Sequence, residues 1–270
     1  DVLDLKAISK AAQTYKVPFI VDNTVATPFL LNPIEHGANI VIHSLTKYIG
    51  GNGTSLGGVI IDAGNFDWSN GKFPEFTEPS AGYHGLKYYE VLGAASFIAK
   101  VRIEGLRDLG AALSPFNAFQ IIQGLETLAI RIKKHSENAL ELAKWLQKRS
   151  EVAWVNYPGL ISSKYYDLAQ QYLPEGQSGI VTFGLKGGYE AAKKVADETQ
   201  FFSLLANIGD TKSLIIHPAS TTHQQLSEEQ QITTGVTKDL IRLSVGLEDI
   251  EDLKADLQSV FEKLPVQNLV

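Results

Sequence analysis

The chain has 270 residues, a formal net charge of −6 at pH 7, and neither cysteine nor methionine. This length fits roughly two domains, and a mean hydropathy of −0.03 is typical of a globular protein. Without cysteine there can be no disulfide and no thiolate metal site. A negative charge with no basic tract argues against nucleic acid as the main partner. No apolar run approaches the ~18 residues that a membrane helix needs, so we expect no membrane partner and a cytoplasmic location.

The first residues show a helical pattern of apolar side chains at Val2, Leu5, Ile8 and Ala12. Because a domain rarely starts inside such a pattern, we expect this chain to be the C-terminal part of a longer protein. The six histidines are scattered, with no HxxxH or HExxH spacing. We therefore expect no metal site built from protein ligands.

Short strands then alternate with helical patterns. The sequence predicts strands at 17–21, 40–43 and 58–62. A short capped helix between the first two is expected to begin at Asn32 and Pro33 and to end at Gly37. This alternation is typical of a layered α/β sheet with largely parallel pairing. Residues 63–85 carry aromatics, prolines and glycines without a period and are expected to form an ordered surface excursion.

Helical spacing dominates residues 86–149, with Pro115 as an interruption and Ser136 as the expected N-cap of the last helix. After this region the sequence predicts strands at 153–157, 179–185, 213–217 and 240–247, and helices at 189–198 and 249–264. Such an order is typical of a smaller α+β domain. We therefore expect a cofactor-type α/β domain at 1–130 and an α+β domain at 131–270.

Lys47 and Asp22 each follow a predicted strand, one β-α-β step apart. In open α/β sheets, functional groups collect beyond the carboxyl ends of strands. Each residue has a plain interpretation, as a surface lysine and as a strand-terminal cap. Together they match the needs of pyridoxal phosphate chemistry, in which a lysine holds the aldehyde as a Schiff base and a carboxylate keeps the pyridine nitrogen protonated.

The residues around Lys47 favour the functional interpretation. Ser44 and Thr46 can donate hydrogen bonds to a phosphate or a ring oxygen, and the glycine-rich stretch 50–53 allows a bound group to approach the backbone closely. A dinucleotide-binding fingerprint is the obvious alternative. It fails because Leu56 stands where the last glycine of G-x-G-x-x-G would be, and the Walker A spacing fails as well.

Arg242 lies in an otherwise apolar predicted strand. An unpaired guanidinium there would be costly, so an anion is expected beside it. A structural ion pair and a bidentate clamp on a substrate α-carboxylate are both open. His217 and His223 are interpreted as structural residues of a loop, and His43 as a hydrogen-bonded histidine at a strand end.

Two segments of the chain resemble a known family. VDNTVATPFLLNPIEHGANIVIHSLTKYIGG and DLIRLSVGLEDIEDL closely resemble the Cys/Met-metabolism pyridoxal-phosphate enzymes, and the likeness extends over essentially the whole chain. The resemblance implies a fold-type I PLP-dependent transferase, with a truncated, mainly parallel cofactor-domain sheet and a smaller α+β C-terminal domain. It also implies pyridoxal 5'-phosphate as cofactor and a homotetramer built from dimers with shared active sites.

The resemblance assigns roles to five residues around the cofactor. Lys47 would be the Schiff-base lysine and Asp22 the partner of the pyridine nitrogen. Thr24 would support the ring. Ser44 and Thr46 would bind the cofactor phosphate.

Two further residues would bind substrate. Arg242 would hold the substrate carboxylate, and Asn207 stands near the place where many relatives have a serine that helps to hold it. The segments GNGTSLGGVIID, NFDWSNGKFPEFTEPSAGYHGL and HPASTTHQQLSEEQ resemble the O-acetylhomoserine sulfhydrylase branch. That branch implies γ-replacement of O-acetylhomoserine by sulfide to give homocysteine and acetate, a step of methionine biosynthesis.

Three alternatives stay open. The first is a sister enzyme of the same family: a cystathionine γ-synthase, a cystathionine γ-lyase or a methionine γ-lyase. The second is a non-catalytic fragment with a binding or assembly role. A nucleotide-binding α/β domain is disfavoured by the failed glycine spacing. The upstream part of the family supplies a phosphate loop, a ring-stacking aromatic, and a tyrosine and an arginine for the neighbouring site. None is found here, so we expect an N-terminal segment to be missing and this fragment alone to be incomplete.

Overall fold

A computed structural model describes residues 1–265 of the chain. The strands are β1 (Ile20–Asp22), β2 (Ile40–Ser44), β3 (Gly58–Asp62), β4 (Val152–Asn156), β5 (Ile180–Leu185), β6 (Ser203–Leu204), β7 (Leu214–Ile216) and β8 (Leu240–Ser244). The α-helices are α1 (Leu5–Thr14), α2 (Thr27–Leu30), α3 (Pro74–Thr77), α4 (Tyr88–Leu92), α5 (Ser96–Lys100), α6 (Pro115–Glu126), α7 (Leu128–Leu146), α8 (Tyr166–Tyr172), α9 (Gly188–Glu198), α10 (Glu228–Thr233) and α11 (Ile250–Phe261). Within residues 1–265, every helix is too short or too polar to cross a membrane.

The first sheet has the strand order β1-β2-β3. β1 runs parallel to β2, with Asp22 beside Ile42, whereas β3 is antiparallel to β2, with Ser44 opposite Gly58. The α/β sheet is therefore present, but one of its two pairings is antiparallel rather than parallel. β1 also starts later than predicted. Pro18 has no N–H to donate, and the Phe19 N–H donates to the side chain of Asn39 at 2.8 Å instead of to a strand.

The first helix begins at Leu5 and not at the first residue. The Asp4 carboxylate accepts a hydrogen bond from the Ala7 N–H at 3.1 Å, which is the usual N-cap contact. The expectation that the chain opens inside a helix was therefore wrong. The short helix after β1 is a 3-10 turn, Pro33–His36, and it ends as predicted at Gly37, whose φ of +93° suits glycine.

The first sheet is covered on both faces, as an α/β layer requires. Val41 faces a cluster with Leu5 of α1 and Tyr172 of α8. Its neighbour Ile40 points the other way, into a cluster built around Trp68 of the excursion. Because side chains alternate along a strand, β2 is buried on both sides. The excursion is ordered, as predicted: its aromatic rings meet edge to face, and Trp68 stacks on Phe97 of α5.

Two predictions in the helical region change. Pro115 is the first residue of α6 rather than an interruption, and Ser114 caps it by accepting from the Asn117 N–H at 3.1 Å. Ser136 is not an N-cap, because it lies inside α7, which has already begun at Leu128. The Ser136 hydroxyl donates to the Ile132 carbonyl at 2.9 Å, and this bond satisfies a serine in a helix interior.

The second sheet has the strand order β4-β5-β8-β7-β6, and only the β6–β7 pair is parallel. One face packs against α7 and α9, with Phe183, Ile241 and Leu243 in the core. α11 packs on these two helices and reaches the sheet where Phe261 meets Phe183 edge to face. Arg242 lies between Ile241 and Leu243 and therefore points to the opposite face. This alternation lets an apolar strand carry a guanidinium outside the core.

Candidate active site

Lys47 leaves the end of β2 in an unusual turn. Residues Leu45–Ile49 form a π-helical turn, in which the Gly50 N–H donates to the Leu45 carbonyl at 2.9 Å. Lys47 itself has φ −89° and ψ −132°, outside the helical region. Its side chain is half-buried. Such turns are frequent at functional sites.

Asn207 joins Lys47 to Arg242. The Lys47 Nζ donates to the Asn207 side-chain oxygen, and the Arg242 Nη2 donates to the Asn207 backbone oxygen at 3.2 Å. An amine, an amide and a guanidinium from three distant parts of the sequence therefore meet at one place. Two of these residues were predicted to bind the substrate, and the structure brings both to the lysine.

Arg242 has no acidic partner in the part of the chain that the structure describes. Within residues 1–265, no ion pair includes it. Its side chain is half-buried, and this burial lowers the pKa of the guanidinium. Of the two interpretations of Arg242, a structural ion pair is thus not observed in the described part of the chain. A half-buried cation of this kind favours an anion such as a carboxylate.

Thr24 ties the ends of β1 and β2 together. The Thr24 N–H donates to the Asp22 carboxylate at 3.0 Å, and the Thr24 hydroxyl accepts from the Ser44 N–H at 2.7 Å. These bonds place the exposed Asp22 carboxylate and Ser44 at the same edge of the sheet. The hydroxyl of Thr24 thus binds the backbone of β2, and its support of the cofactor ring stays a prediction.

Thr46 is engaged by the backbone before β3. Its hydroxyl accepts from the Gly57 N–H at 3.1 Å and donates to the Gly57 carbonyl at 3.3 Å. A hydroxyl oxygen has two lone pairs, so one remains for a further donor but the proton is already used. The predicted contact of Thr46 with a phosphate oxygen would require this proton to leave Gly57. The Ser44 hydroxyl is not limited in this way, and its contact with the phosphate stays a prediction.

A cleft of about 770 Å³ opens between the two sheets. Asp22 and Asn23 line it on one side, and Trp154, Thr182 and Leu240 line it on the other. Neither Lys47 nor Arg242 reaches its wall. The candidate site is therefore defined by the polar groups that converge on Asn207 and by Asp22 at the edge of the cleft.

The histidines outside this site behave in two ways. Both ring nitrogens of His217 have partners, Nδ1 with the Ser220 hydroxyl and Nε2 with the Lys238 carbonyl, each at 2.8 Å. Nδ1 of His43 is buried without a partner in residues 1–265, so the predicted hydrogen bond is not found at this nitrogen. Burial lowers the pKa of His43, which keeps the ring neutral in its strand. In the same residues, no three His, Asp or Glu side chains cluster in a way that could hold a metal ion.

Sequence reasoning missed a polar layer behind Lys47. Tyr48 and His135 are fully buried and meet edge to face at 5.2 Å between ring centres. Arg131, one turn before His135 on α7, is also buried. The sequence signal that could have revealed this layer is that Arg131 and His135 stand in the apolar stripe of a helix.

The comparisons with known proteins agree with this geometry. The family described as Cys/Met metabolism PLP-dependent enzyme matches residues 1–262, and the chain belongs to this family. An O-acetyl-L-homoserine sulfhydrylase of Leptospira meyeri is 55% identical over 98% of this chain and 62% of its own length. O-acetyl-L-homoserine sulfhydrylase 1 of Thermus thermophilus is 51% identical over 96% of this chain and 62% of its own length.

A solved structure is similar as well. It is a crystal structure from Campylobacter jejuni assigned as an O-acetylhomoserine (thiol)-lyase, with 47% identity and a TM-score of 0.93 over 97% of this chain and 63% of that chain. That crystal structure contains N'-pyridoxyl-lysine-5'-monophosphate. The present chain spans about 62% of the length of the curated relatives. These findings confirm the predicted family, the fold-type I class and a pyridoxal phosphate cofactor.

The residues at the candidate site fit that cofactor. Pyridoxal phosphate has an aldehyde, a pyridine nitrogen and a phosphate, which need an amine, a carboxylate and hydrogen-bond donors. Lys47 provides a half-buried amine and Asp22 a carboxylate at the carboxyl end of the neighbouring parallel strand. Ser44 ends β2, and its N–H donates to Thr24, whose own N–H donates to Asp22. The chemistry of these groups is thus complementary to the cofactor.

Proposed function

We propose that the protein containing this chain converts O-acetylhomoserine and sulfide to homocysteine and acetate. The observation that carries the proposal is the convergence of Lys47 and Arg242 on Asn207, which would hold the amine of one beside the carboxylate site of the other. The names of relatives at 55% and 51% identity support the choice of substrate. Homocysteine synthase of Schizosaccharomyces pombe, at 48% identity, supports the product.

In this proposal five residues hold the cofactor. Lys47 binds its aldehyde carbon, Asp22 keeps a proton on the pyridine nitrogen and Thr24 supports the ring. Ser44 would donate to the phosphate, and Thr46 would do so after its proton leaves the Gly57 carbonyl. When bound, pyridoxal phosphate supplies an electron sink for the charge that develops on the substrate carbon.

The chain's own residues then orient the substrate and move protons. Arg242 binds the α-carboxylate through its planar fork, and the Asn207 carbonyl holds that guanidinium in place. Once the substrate amine has replaced it on the cofactor aldehyde carbon, the freed Lys47 amine would take the proton from Cα and relay one from Cβ, acting as general base and then as acid. The Cγ–O bond breaks as acetate leaves, and a Cγ–S bond forms with sulfide.

We also propose that the chain has two domains, 1–130 and 131–270, and acts as a homotetramer built from dimers. α7 begins at Leu128, next to the proposed boundary. On α6, Phe116 is 67% exposed and Phe119 56% exposed, and apolar surface of this kind is typical of an interface. A cytoplasmic location is part of the proposal, because a chain without cysteine is compatible with a reducing compartment.

Borohydride reduction of the complete gene product with bound cofactor tests the site. After digestion, the pyridoxyl group should be found on the peptide that contains Lys47. Lys47→Ala should remove the label and abolish turnover while the protein stays folded, because the side chain is not part of a core. Lys212→Ala is the matched control, since Lys212 is exposed, and should keep both. Labelling of a different lysine would contradict the assignment.

The reaction itself is tested by product analysis. Supplied with O-acetylhomoserine, the protein should form homocysteine with sulfide faster than cystathionine with cysteine. Preferential formation of cystathionine, or release of methanethiol from methionine, would favour a sister enzyme of the same family. No product together with no pyridoxyl label would favour the non-catalytic alternative.

A further inference from the structure

Arg131 is a buried cation whose hydrogen-bond acceptors within residues 1–265 are all neutral oxygen atoms. It is 9% exposed and lies on α7. Its Nη1 donates to the Tyr48 carbonyl at 2.6 Å, and its Nη2 donates to the Ile49 carbonyl at 3.0 Å. Nη2 also donates to the Gly124 carbonyl at 2.6 Å, and Nε donates to the Thr127 hydroxyl at 3.0 Å.

Burying a cation in this way destabilises the fold unless the residue makes specific contacts that offset the loss of hydration. No ion pair in the described part of the chain includes Arg131, and burial lowers the pKa of its guanidinium. Removing a charge from water without an opposite charge nearby is unfavourable. The acceptors of its hydrogen bonds indicate what the residue contributes.

Two of these acceptors belong to the turn that carries Lys47. The turn closes with the Gly50 N–H on the Leu45 carbonyl at 2.9 Å and the Gly51 N–H on the Lys47 carbonyl at 2.8 Å. The chain then leaves the helical path at Gly51, whose φ is +78°. The last carbonyls of a helical turn need donors from elsewhere, and Arg131 supplies them to Tyr48 and Ile49 through one rigid group.

Two glycines make room for this contact. A Cβ on Gly51 would lie 2.7 Å from the Arg131 Cζ, and a Cβ on Gly124 would lie 2.6 Å from the Ile49 oxygen. Both distances are too short for a side chain. Gly51 at the exit of the turn and Gly124 on α6 thus independently permit the same close packing of α6, α7 and the Lys47 turn.

We infer that Arg131 is a positioning residue for Lys47. It acts through the backbone of residues 48 and 49, fixing the turn from which the lysine side chain projects. The inference rests on the proposed role of Lys47 as the cofactor lysine. A lysine at position 131 would keep the charge but lose the planar fork that reaches two carbonyls together. A looser turn would misplace the amine, and misplacement lowers the rate of the chemical step more than it weakens binding.

Amide hydrogen exchange of the complete gene product without cofactor tests the inference, together with steady-state kinetics of the loaded protein. In Arg131→Lys, exchange of the peptide covering 45–51 should rise at least ~10-fold and kcat should fall at least ~10-fold, with KM within about two-fold. Arg149→Lys is the matched control. The Arg149 guanidinium lies 4.9 Å from the Trp145 ring and donates to Gln258 at 3.2 Å. The Arg149→Lys substitution should therefore leave the exchange of 45–51 unchanged.

Gly124→Ala is a second variant that keeps Arg131, and its Cβ would press on the carbonyl oxygens of Gly50 and Ile49. It should raise exchange in 45–51 as well, and it decides the matter if Arg131→Lys does not fold. Unchanged exchange in 45–51, or a rise spread equally over all peptides as in a general loss of stability, would overturn the inference. The exchange readout does not depend on cofactor, whereas borohydride labelling tests Lys47, so the two failures are distinguishable.

Discussion

Asn207 is the residue whose importance the structure changes most. The family resemblance pointed to it only as the neighbour of a carboxylate-binding serine in relatives. Here its side-chain oxygen accepts from Lys47 and its backbone oxygen accepts from Arg242. One residue therefore orients both the proposed catalytic amine and the proposed carboxylate clamp.

Arg242→Lys should lower kcat/KM for O-acetylhomoserine by ~1.5–3 kcal/mol, the size of a charged hydrogen bond. The variant keeps the charge but loses the fork that matches a carboxylate. Steady-state kinetics measure the loss, and Arg102→Lys, at an exposed position, should show none. Normal kcat/KM in a protein that melts much earlier would make Arg242 a structural residue.

Asp22→Asn should lower kcat at least ~100-fold, because an amide cannot hold the proton on the pyridine nitrogen. Its oxygen can still accept from the Thr24 N–H, so the turn after β1 should persist. Asp62→Asn is a close control, since Asp62 also ends a strand and accepts from the Gly64 N–H at 2.9 Å. An unchanged kcat in Asp22→Asn would refute the role, and a change confined to KM would point to binding.

At the scale of elements, most strands and long helices lie close to where the sequence places them. β3 has the predicted bounds, and α11 begins directly after Asp249, the residue predicted to start it, which serves as its N-cap. The errors are local. Pro18 shortens β1, and the interior position of Ser136 in α7 is stabilised by a hydrogen bond one turn back that a sequence pattern does not reveal.

α7 carries a buried histidine that should make stability depend on pH. Burial lowers the pKa of His135 from 6.5 to about 4. The unfolded chain therefore takes up a proton more readily than the folded one as pH falls from 6.5 towards 4. The stabilisation is fully present above pH 6.5 and is lost in this window, by about 2 kcal/mol at pH 5.

Urea unfolding at pH 7.5 and pH 5 measures this loss. The difference between the two pH values should be smaller by about 2 kcal/mol in His135→Gln than in the original protein. His84→Gln, at an exposed position, should leave the difference unchanged. Equal pH dependence in the original protein and in His135→Gln would show that His135 is protonated alike in both states.

At the scale of the whole molecule, the site exists because two sheets meet. Lys47 comes from the end of the first sheet, and Arg242 comes from the open face of the second. The backbone bond from the Thr211 N–H to the Gly51 carbonyl, at 2.8 Å, fixes the loop of Asn207 against the Lys47 segment. The relative placement of the two sheets therefore determines the distance between amine and guanidinium.

The proposed assembly predicts that α6 lies in an interface. Phe119 is 56% exposed in the single chain and would be covered in the assembly. Phe119→Lys would bury a charge there, so the mass of the assembly measured by sedimentation of the complete gene product should fall. Ile161→Lys is the control, since Ile161 is 85% exposed and lies in a turn away from α6. An unchanged mass in Phe119→Lys would remove α6 from the interface.

The sequence by itself determined the family, the alternation of strands and helices, and the position of Asp22 and Lys47 at strand ends. These features are local or lie one β-α-β step apart, so their spacing along the chain carries the information. Only the tertiary structure decided that Asn207 joins Lys47 to Arg242 and that Arg131 holds the turn behind the lysine. Contacts between residues 35 to 160 positions apart depend on how whole sheets and helices pack, and no local pattern records them.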